Sequence, residues 1–137
     1  MLNAFICNGT RTPFGRYAGL LANLRPDDML GELIQKLVEH AGVNTEKIDD
    51  VIVGCGNQAG EDSRCIARHS LLRAGLSIEI PGMVIQRNCG SGLGAIVSGA
   101  HAITCGEADT IISGGVESMT RAPFVVAKAE YPFSKKM

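Results

Sequence analysis

The apolar positions of this chain fall into short runs divided by glycine- and proline-marked turns, and their period changes from run to run. Leu2 to Cys7 is an apolar run ending at Asn8-Gly9 and predicts a first strand. Residues 10 to 25, with Pro13, Gly15 and Gly19, read as a loop. Pro26-Asp27-Asp28 then puts a proline and two acids where a helix begins. Met29, Leu30, Leu33, Ile34, Leu37, Val38 and Ala41 follow at three- and four-residue spacing, with Gly42 as terminator. Asp50 to Cys55 predicts a second strand. In the Gly60-Glu61-Asp62-Ser63 loop, Ser63 can cap a helix running to Gly75. Pro81 precedes a third strand, Met83 to Gln86, and a fourth runs from Thr110 to Gly114. From Glu117 to Met137 no period stands out, which predicts a loop. Helices alternating with apolar strands define an α/β class with a largely parallel sheet.

The helix expected from about Ser91 to Gly106 sets the architecture. It carries no charged residue apart from the titratable His101. Leu93, Ala95, Ile96, Val97, Ala100, Ala102 and Ile103 cover all its faces, and Gly94, Ser98 and Gly99 fill the gaps. A helix apolar all round is buried all round. One four-stranded sheet covers only one side, so the other cover is expected from another chain or from sequence beyond this one.

Composition narrows the function classes. The chain has 137 residues, 45% hydrophobic and 20% charged, enough for one globular domain with a core. A net charge of −1 leaves no basic field for nucleic acid or a membrane surface. Five cysteines, none in a CxxC pair, predict neither a disulfide framework nor a metal site, and suggest a reducing, cytoplasmic setting. Met1 to Ile6 lacks the basic region of a signal peptide, and no apolar run reaches membrane-spanning length. With no tryptophan and seventeen glycines, the core is aliphatic and the backbone closely packed or sharply turned in places.

Cys89 is the candidate for chemistry. In Gln86-Arg87-Asn88-Cys89-Gly90-Ser91-Gly92 a β-branched run ends, the thiol follows, and small residues open the uncharged helix. That reads as strand, tight turn, helix, with the thiol in the helix's first turn. Unpaired amides and the positive end of the helix dipole stabilise a thiolate there. The alternative is a buried structural cysteine. Gly90-Ser91-Gly92-Leu93-Gly94-Ala95 also matches a loose dinucleotide fingerprint, but Asp109 begins the next strand, whereas a ribose-binding acid should end it. His101 lies twelve residues along the helix, ~18 Å from the thiol. His40 reads as a solvated or dipole-pairing residue, and His69 as a packing or surface residue. Cys55 and Cys65 flank the Gly56 to Arg64 loop, with core packing as the default. Cys7 and Cys105 read as core and helix end, and Glu61-Asp62 as an exposed loop pair. Glu117 follows Gly114-Gly115 at a strand's C-terminal end, where a hydrogen-bonding and a catalytic role are both open.

At Arg87-Asn88-Cys89-Gly90-Ser91-Gly92 and Gly114-Gly115-Val116-Glu117-Ser118-Met119 the sequence resembles thiolases, and the likeness runs end to end. Thr10-Arg11-Thr12-Pro13-Phe14-Gly15 resembles the family's opening segment. Gly54 to Asp62, Leu71 to Leu76 and Glu117 to Val125 are similar to its β-ketoadipyl-CoA branch. The resemblance implies the N-terminal, βαβ-rich half of a five-layered αβαβα fold with a mostly parallel mixed sheet. Residues 1–116 would form that half-domain and 117–137 the start of a substrate-covering region. It implies an acyltransferase in which Cys89 attacks the ketone carbon of a 3-oxoacyl-CoA, in fatty-acid or aromatic-acid breakdown. The Cys89 N–H would help hold the oxyanion. CoA and acyl-CoA are then substrates, with no separate cofactor or metal. A homodimer or homotetramer is expected, with Met83 to Arg87 at the two-fold interface. Gln86 departs from the family's usual asparagine. The family's activating histidine and second cysteine belong to its later half, so this chain alone is expected to lack turnover. Rival readings are another condensing enzyme of the same fold, of ketoacyl synthase or hydroxymethylglutaryl-CoA synthase type, and a non-catalytic dimerising fragment.

Overall fold

The computed structural model describes residues 3–58, 60–61, 64–128 and 131. Helix α1 spans Pro26–Ala41 and is followed by a single 3-10 turn, Thr45–Lys47. Strand β1 (Asp50–Gly54), helix α2 (Ile66–Arg73), strand β2 (Gly82–Ile85), helix α3 (Ser91–Cys105) and strand β3 (Ile111–Gly115) complete the order. The boundaries of α1 follow its sequence signals. Pro26 opens the helix, where its missing N–H costs nothing, and Asp27 and Asp28 occupy the first turn. Gly42 closes it at φ 63°, a left-handed value that glycine adopts without strain, and its N–H bonds Val38 O.

The sheet order is β2-β1-β3, all parallel, with Val51 opposite both Gly82 and Ile112. The chain steps outward from β1 to β2, then back across β1 to β3. Right-handed crossovers in opposite directions put their helices on opposite faces. Accordingly α2 packs on β1 and β2 and is backed by α1, while α3 lies across the whole sheet. Strand alternation divides the core. Val51, Val53 and Cys55 point into a cluster with Leu30, Ile34, Ile66, Ala67 and Leu71. Ile52, equally buried, faces the α3 side.

Small residues let α3 approach closely. Ser91, Ala95 and Gly99, four apart on one stripe, are its buried positions. A Cβ placed on Gly99 would fall 2.6 Å from Ser113 Oγ. At the N-terminal end the contact is backbone on backbone: a Cβ on Gly54 would lie 2.2 Å from the Ser91 carbonyl carbon and 2.3 Å from Gly92 N. Among the described residues the far side of α3 is bare, with Leu93 69% and Val97 43% exposed. The helix is therefore apolar all round, as expected, but covered on one side only.

Several expectations need correction. Residues 3–7 form no strand, and Leu2 lies outside the described residues. An apolar run becomes a strand only when a neighbour supplies a ladder. Here Asn3 N donates instead to Thr104 Oγ1 at 3.1 Å, and Phe5, Ile6 and Cys7 stay exposed, so Cys7 is not a core residue. The described sheet thus has three strands rather than four. The third expected strand is shifted by one residue, and α2 stops at Arg73, short of Gly75. The Ser63 cap lies outside the described residues, as do Asp62 and most of 129–137. Residues 117–128 carry no helix or strand. Among the described residues, no helix is long and apolar enough to cross a membrane.

The Gly54 contact generates a sharp test. Gly54→Ala forces a methyl into backbone that cannot yield, so a loss of roughly 1–3 kcal/mol or more is expected. Gly114→Ala on the same sheet meets nothing within 4 Å and should stay within about 0.5 kcal/mol of the parent. Urea denaturation of both variants measures the difference, and equal midpoints would refute the packing account.

Candidate active site

A cleft of about 900 Å³ opens at the carboxyl ends of β1 and β3, beside the start of α3. This is where ligands sit in open α/β sheets. Pro13, Phe14 and Tyr17 of the opening segment line it, together with Cys89, Glu117 and Met119.

Cys89 sits in the turn that joins β2 to α3. Gly90 is the N-cap of α3 and Ser91 its first helical residue. The thiol therefore lies one residue ahead of the cap rather than in the first turn. The turn closes through Gly90 N to Arg87 O (3.0 Å) and Ser91 N to Asn88 O (3.1 Å). Asn88 takes φ 50°, a left-handed conformation that asparagine tolerates better than most residues. Ser91 braces the turn from inside: its Oγ accepts from Arg87 N at 2.8 Å and donates to Asn88 O at 2.7 Å. The next two amides of α3, of Gly92 and Leu93, have no acceptor among the described residues. The positive end of α3 thus remains available next to the exposed thiol.

Of the five free cysteines, Cys89 alone lines this cleft. Cys55 is buried and its Sγ donates to Asn57 O at 3.3 Å. Cys65 is half-buried with Sγ donating to Gly82 O at 3.3 Å. Cys105 ends α3, exposed. His40, His69 and His101 are all exposed and none reaches the cleft. Asp109 precedes β3, and its N–H, with that of Thr110, binds Asp49 Oδ2. Those bonds, from Thr110 foremost and then Asp109, hold the Asp49 carboxyl below the usual carboxylate range. Asp109 is thus part of a turn remote from the glycine segment. Among the described residues, no group of three His, Cys, Asp or Glu could hold a metal ion.

Sequence reasoning left one feature of the site open and missed another. Glu117, whose role was open, accepts the Gly56 N–H at 2.7 Å, and Gln86 Nε2 donates to Gly56 O at 2.6 Å. Glu61, expected to be an exposed loop residue, is half-buried in an ion pair with Arg121, whose Nε donates at 2.6 Å. Arg121 also donates to Ala22 O at 3.3 Å, and Arg25 approaches Glu61 at 3.4 Å. Three loops at the cleft rim are tied by this one acid. No sequence signal marks a pair sixty residues apart, although both lie in segments that the family resemblance picks out.

The comparisons with known proteins agree with one another. The family model described as "Thiolase, N-terminal domain" matches residues 4–136. A 3-oxoadipyl-CoA/3-oxo-5,6-dehydrosuberyl-CoA thiolase of Escherichia coli K12 is 52% identical over 137 residues, 99% of this chain and 34% of that protein. The β-ketoadipyl-CoA thiolase of Acinetobacter baylyi is 52% identical over 98% of this chain and 34% of its own. The crystal structure of Bacillus anthracis acetyl-CoA acetyltransferase superposes with TM-score 0.80 at 31% identity, over 90% of this chain and 30% of that one. The chain thus spans about a third of the length of the relatives it matches.

The Glu61 pair has a pH signature. Hydrogen bonding by Arg121 holds the Glu61 carboxyl below its usual value. The unfolded chain protonates first as pH falls, so the pair's stabilisation is complete above about pH 4.3 and is lost as pH drops through the folded value. Thermal melts between neutral pH and pH 3 should show this loss, and Glu61→Gln should flatten that part of the profile. An unchanged profile in the variant would contradict the assignment.

Proposed function

The chain belongs to the thiolase family, and on that premise we propose that the enzyme containing it is an acyl-CoA acyltransferase cleaving a 3-oxoacyl-CoA, with Cys89 as nucleophile. The Cys89 thiolate adds to the ketone carbon and forms a tetrahedral alkoxide. The bond between that carbon and C2 then breaks. Its electron pair leaves on acetyl-CoA as the enolate, which takes up a proton, and the acyl group stays on Cys89 as a thioester. The thiolate of free CoA attacks this thioester, carries the acyl group away and regenerates Cys89. The turn amides beside the thiol stabilise the charge that develops on oxygen. No histidine of this chain lines the cleft, and on the family reading the activating histidine and second cysteine would come from the rest of the enzyme.

The observation that carries this reading is the location of Cys89. It is the cleft's thiol, held at the strand ends by a braced turn and followed by helix amides with no acceptor among the described residues. The substrate class follows the relatives named for 3-oxoadipyl-CoA, whose acyl group ends in a second carboxylate. In support, Arg16 lines the cleft and pairs with no acid among the described residues. CoA and acyl-CoA act as substrates, residues 117–137 begin the segment covering them, and five free thiols fit a cytoplasmic setting.

Exposing the enzyme to 3-oxoadipyl-CoA without free CoA should leave a succinyl group on Cys89, detected by peptide mass mapping. Cys89→Ser should lower turnover by roughly 10⁴-fold or more. Acyl transfer at undiminished rate in that variant sinks the reading. Brief iodoacetamide treatment should label Cys89 before Cys7, Cys65 or Cys105.

The assembly proposed is a homodimer or homotetramer. Strand β2 is an edge of the sheet, and Met83 on it is 43% exposed. Its uncharged sequence suits an edge paired with its twin across a two-fold axis. Slow amide exchange at Val84 to Gln86 and a sedimentation coefficient above that of a monomer are expected. A stable monomer at micromolar concentration would rule this out.

A further inference from the structure

Beyond Gly54 the chain leaves the sheet, yet the neighbouring strands still hold it. The last backbone bonds are Cys55 N to Ile85 O at 3.1 Å and Val116 N to Gly54 O at 3.0 Å. One residue further on, side chains take over. Glu117, two residues past β3, accepts the Gly56 N–H through Oε2 at 2.7 Å. Gln86, directly past β2, donates to Gly56 O at 2.6 Å. Both main-chain groups of Gly56 are therefore gripped, one from each flanking strand.

Gly56 is also packed toward the nucleophile's turn. A Cβ built on it would lie 3.0 Å from Glu117 Oε2 and 4.0 Å from Asn88 O. Asn88 is the left-handed residue immediately before Cys89, and its carbonyl is the one that Ser91 Oγ and Ser91 N bind. Gln86 itself is only three residues from Cys89. A displacement of Gly56 is thereby transmitted toward the turn through Gln86.

We infer that Glu117 is a positioning residue for Cys89, acting through Gly56 together with Gln86, rather than a carrier of the reaction's protons. This deepens the proposed function and rests on Cys89 being the reacting thiol. A side-chain carbonyl-type oxygen is an acceptor for a backbone N–H whether it belongs to a carboxylate or to an amide. The clamp uses an oxygen acceptor and not the negative charge, so an amide oxygen at the same place does the same work.

The test is the second-order rate of Cys89 alkylation by iodoacetamide at fixed neutral pH, read by mass mapping in the 137-residue chain. Glu117→Ala should slow it about threefold to tenfold, the size of one lost net hydrogen bond. Glu117→Gln should restore the rate to within about twofold, since its Oε1 accepts from Gly56. Gly56 amide exchange should quicken in Glu117→Ala and not in Glu117→Gln. A proton carrier would slow both variants alike, and a through-space charge effect would speed both alike; either result overturns the inference, as does an unchanged rate in Glu117→Ala. If Glu117→Ala does not fold, Gln86→Ala reads the same clamp from its other end: slowing supports it and a parental rate overturns it. Should another thiol of the parent chain label before Cys89, the acyltransferase reading falls, while the ratios between variants still decide the clamp.

Discussion

The contact on which the rest depends is the seating of the α3 N-terminus on bare backbone at Gly54. No side chain separates Ser91 and Gly92 from the strand, because a Cβ on Gly54 would penetrate the Ser91 carbonyl carbon at 2.2 Å. Gly115 repeats the arrangement on β3, where a Cβ would come 3.1 Å from both Gly92 Cα and Gly54 O. Three backbones therefore converge at one end of the sheet. The unpaired amides of α3 and the thiol ahead of them are brought to the strand ends as a direct result. A larger residue at either glycine would lift the helix and carry the Cys89 turn away from the cleft.

Around that seat the loops are held by polar side chains rather than by apolar packing. Glu117 and Gln86 extend the sheet by one rung past its backbone ladder. Glu61, Arg121 and Arg25 join the loop after β1, the loop after β3 and the segment leading into α1. Ala18 N adds a further tie to Thr120 Oγ1 at 3.0 Å. Hydrogen bonds and ion pairs fix direction as well as distance, whereas apolar contacts alone permit sliding. The proposed reaction, which needs a thiol, a ketone carbon and an oxyanion in register, would benefit from directional contacts.

The two faces of the sheet are finished to different degrees. The α1–α2 side is closed over the buried cluster of Val51, Val53, Ile66 and Leu71. On the other side α3 covers the strands but leaves Leu93 and Val97 in the open. An uncovered apolar stripe of this kind calls for a further layer. This chain spans about a third of the length of its relatives, and the five-layered architecture of the family supplies the reason that α3 is uncharged on every face.

The sequence by itself determined the helices, the three observed strands to within a residue, the α/β class and the candidate thiol. Each of these rests on local information: a proline and acids at a helix start, glycine at a helix end, a period of two or about four, a cysteine between a strand and a run of small residues. Only the tertiary structure decided what depends on a partner distant in sequence. Residues 3–7 have strand composition, but a strand needs a neighbouring ladder, and none is supplied among the described residues. Glu61 resembles any loop acid until Arg121, sixty residues away, is folded onto it. The partner of Glu117 was open until the end of β1 placed the Gly56 amide against its carboxylate. The need for glycine at position 54 was equally invisible, because the atoms that exclude a side chain there belong to a helix that begins thirty-seven residues later. Local preference is written along the chain, whereas steric exclusion and pairing exist only once distant segments share the same space.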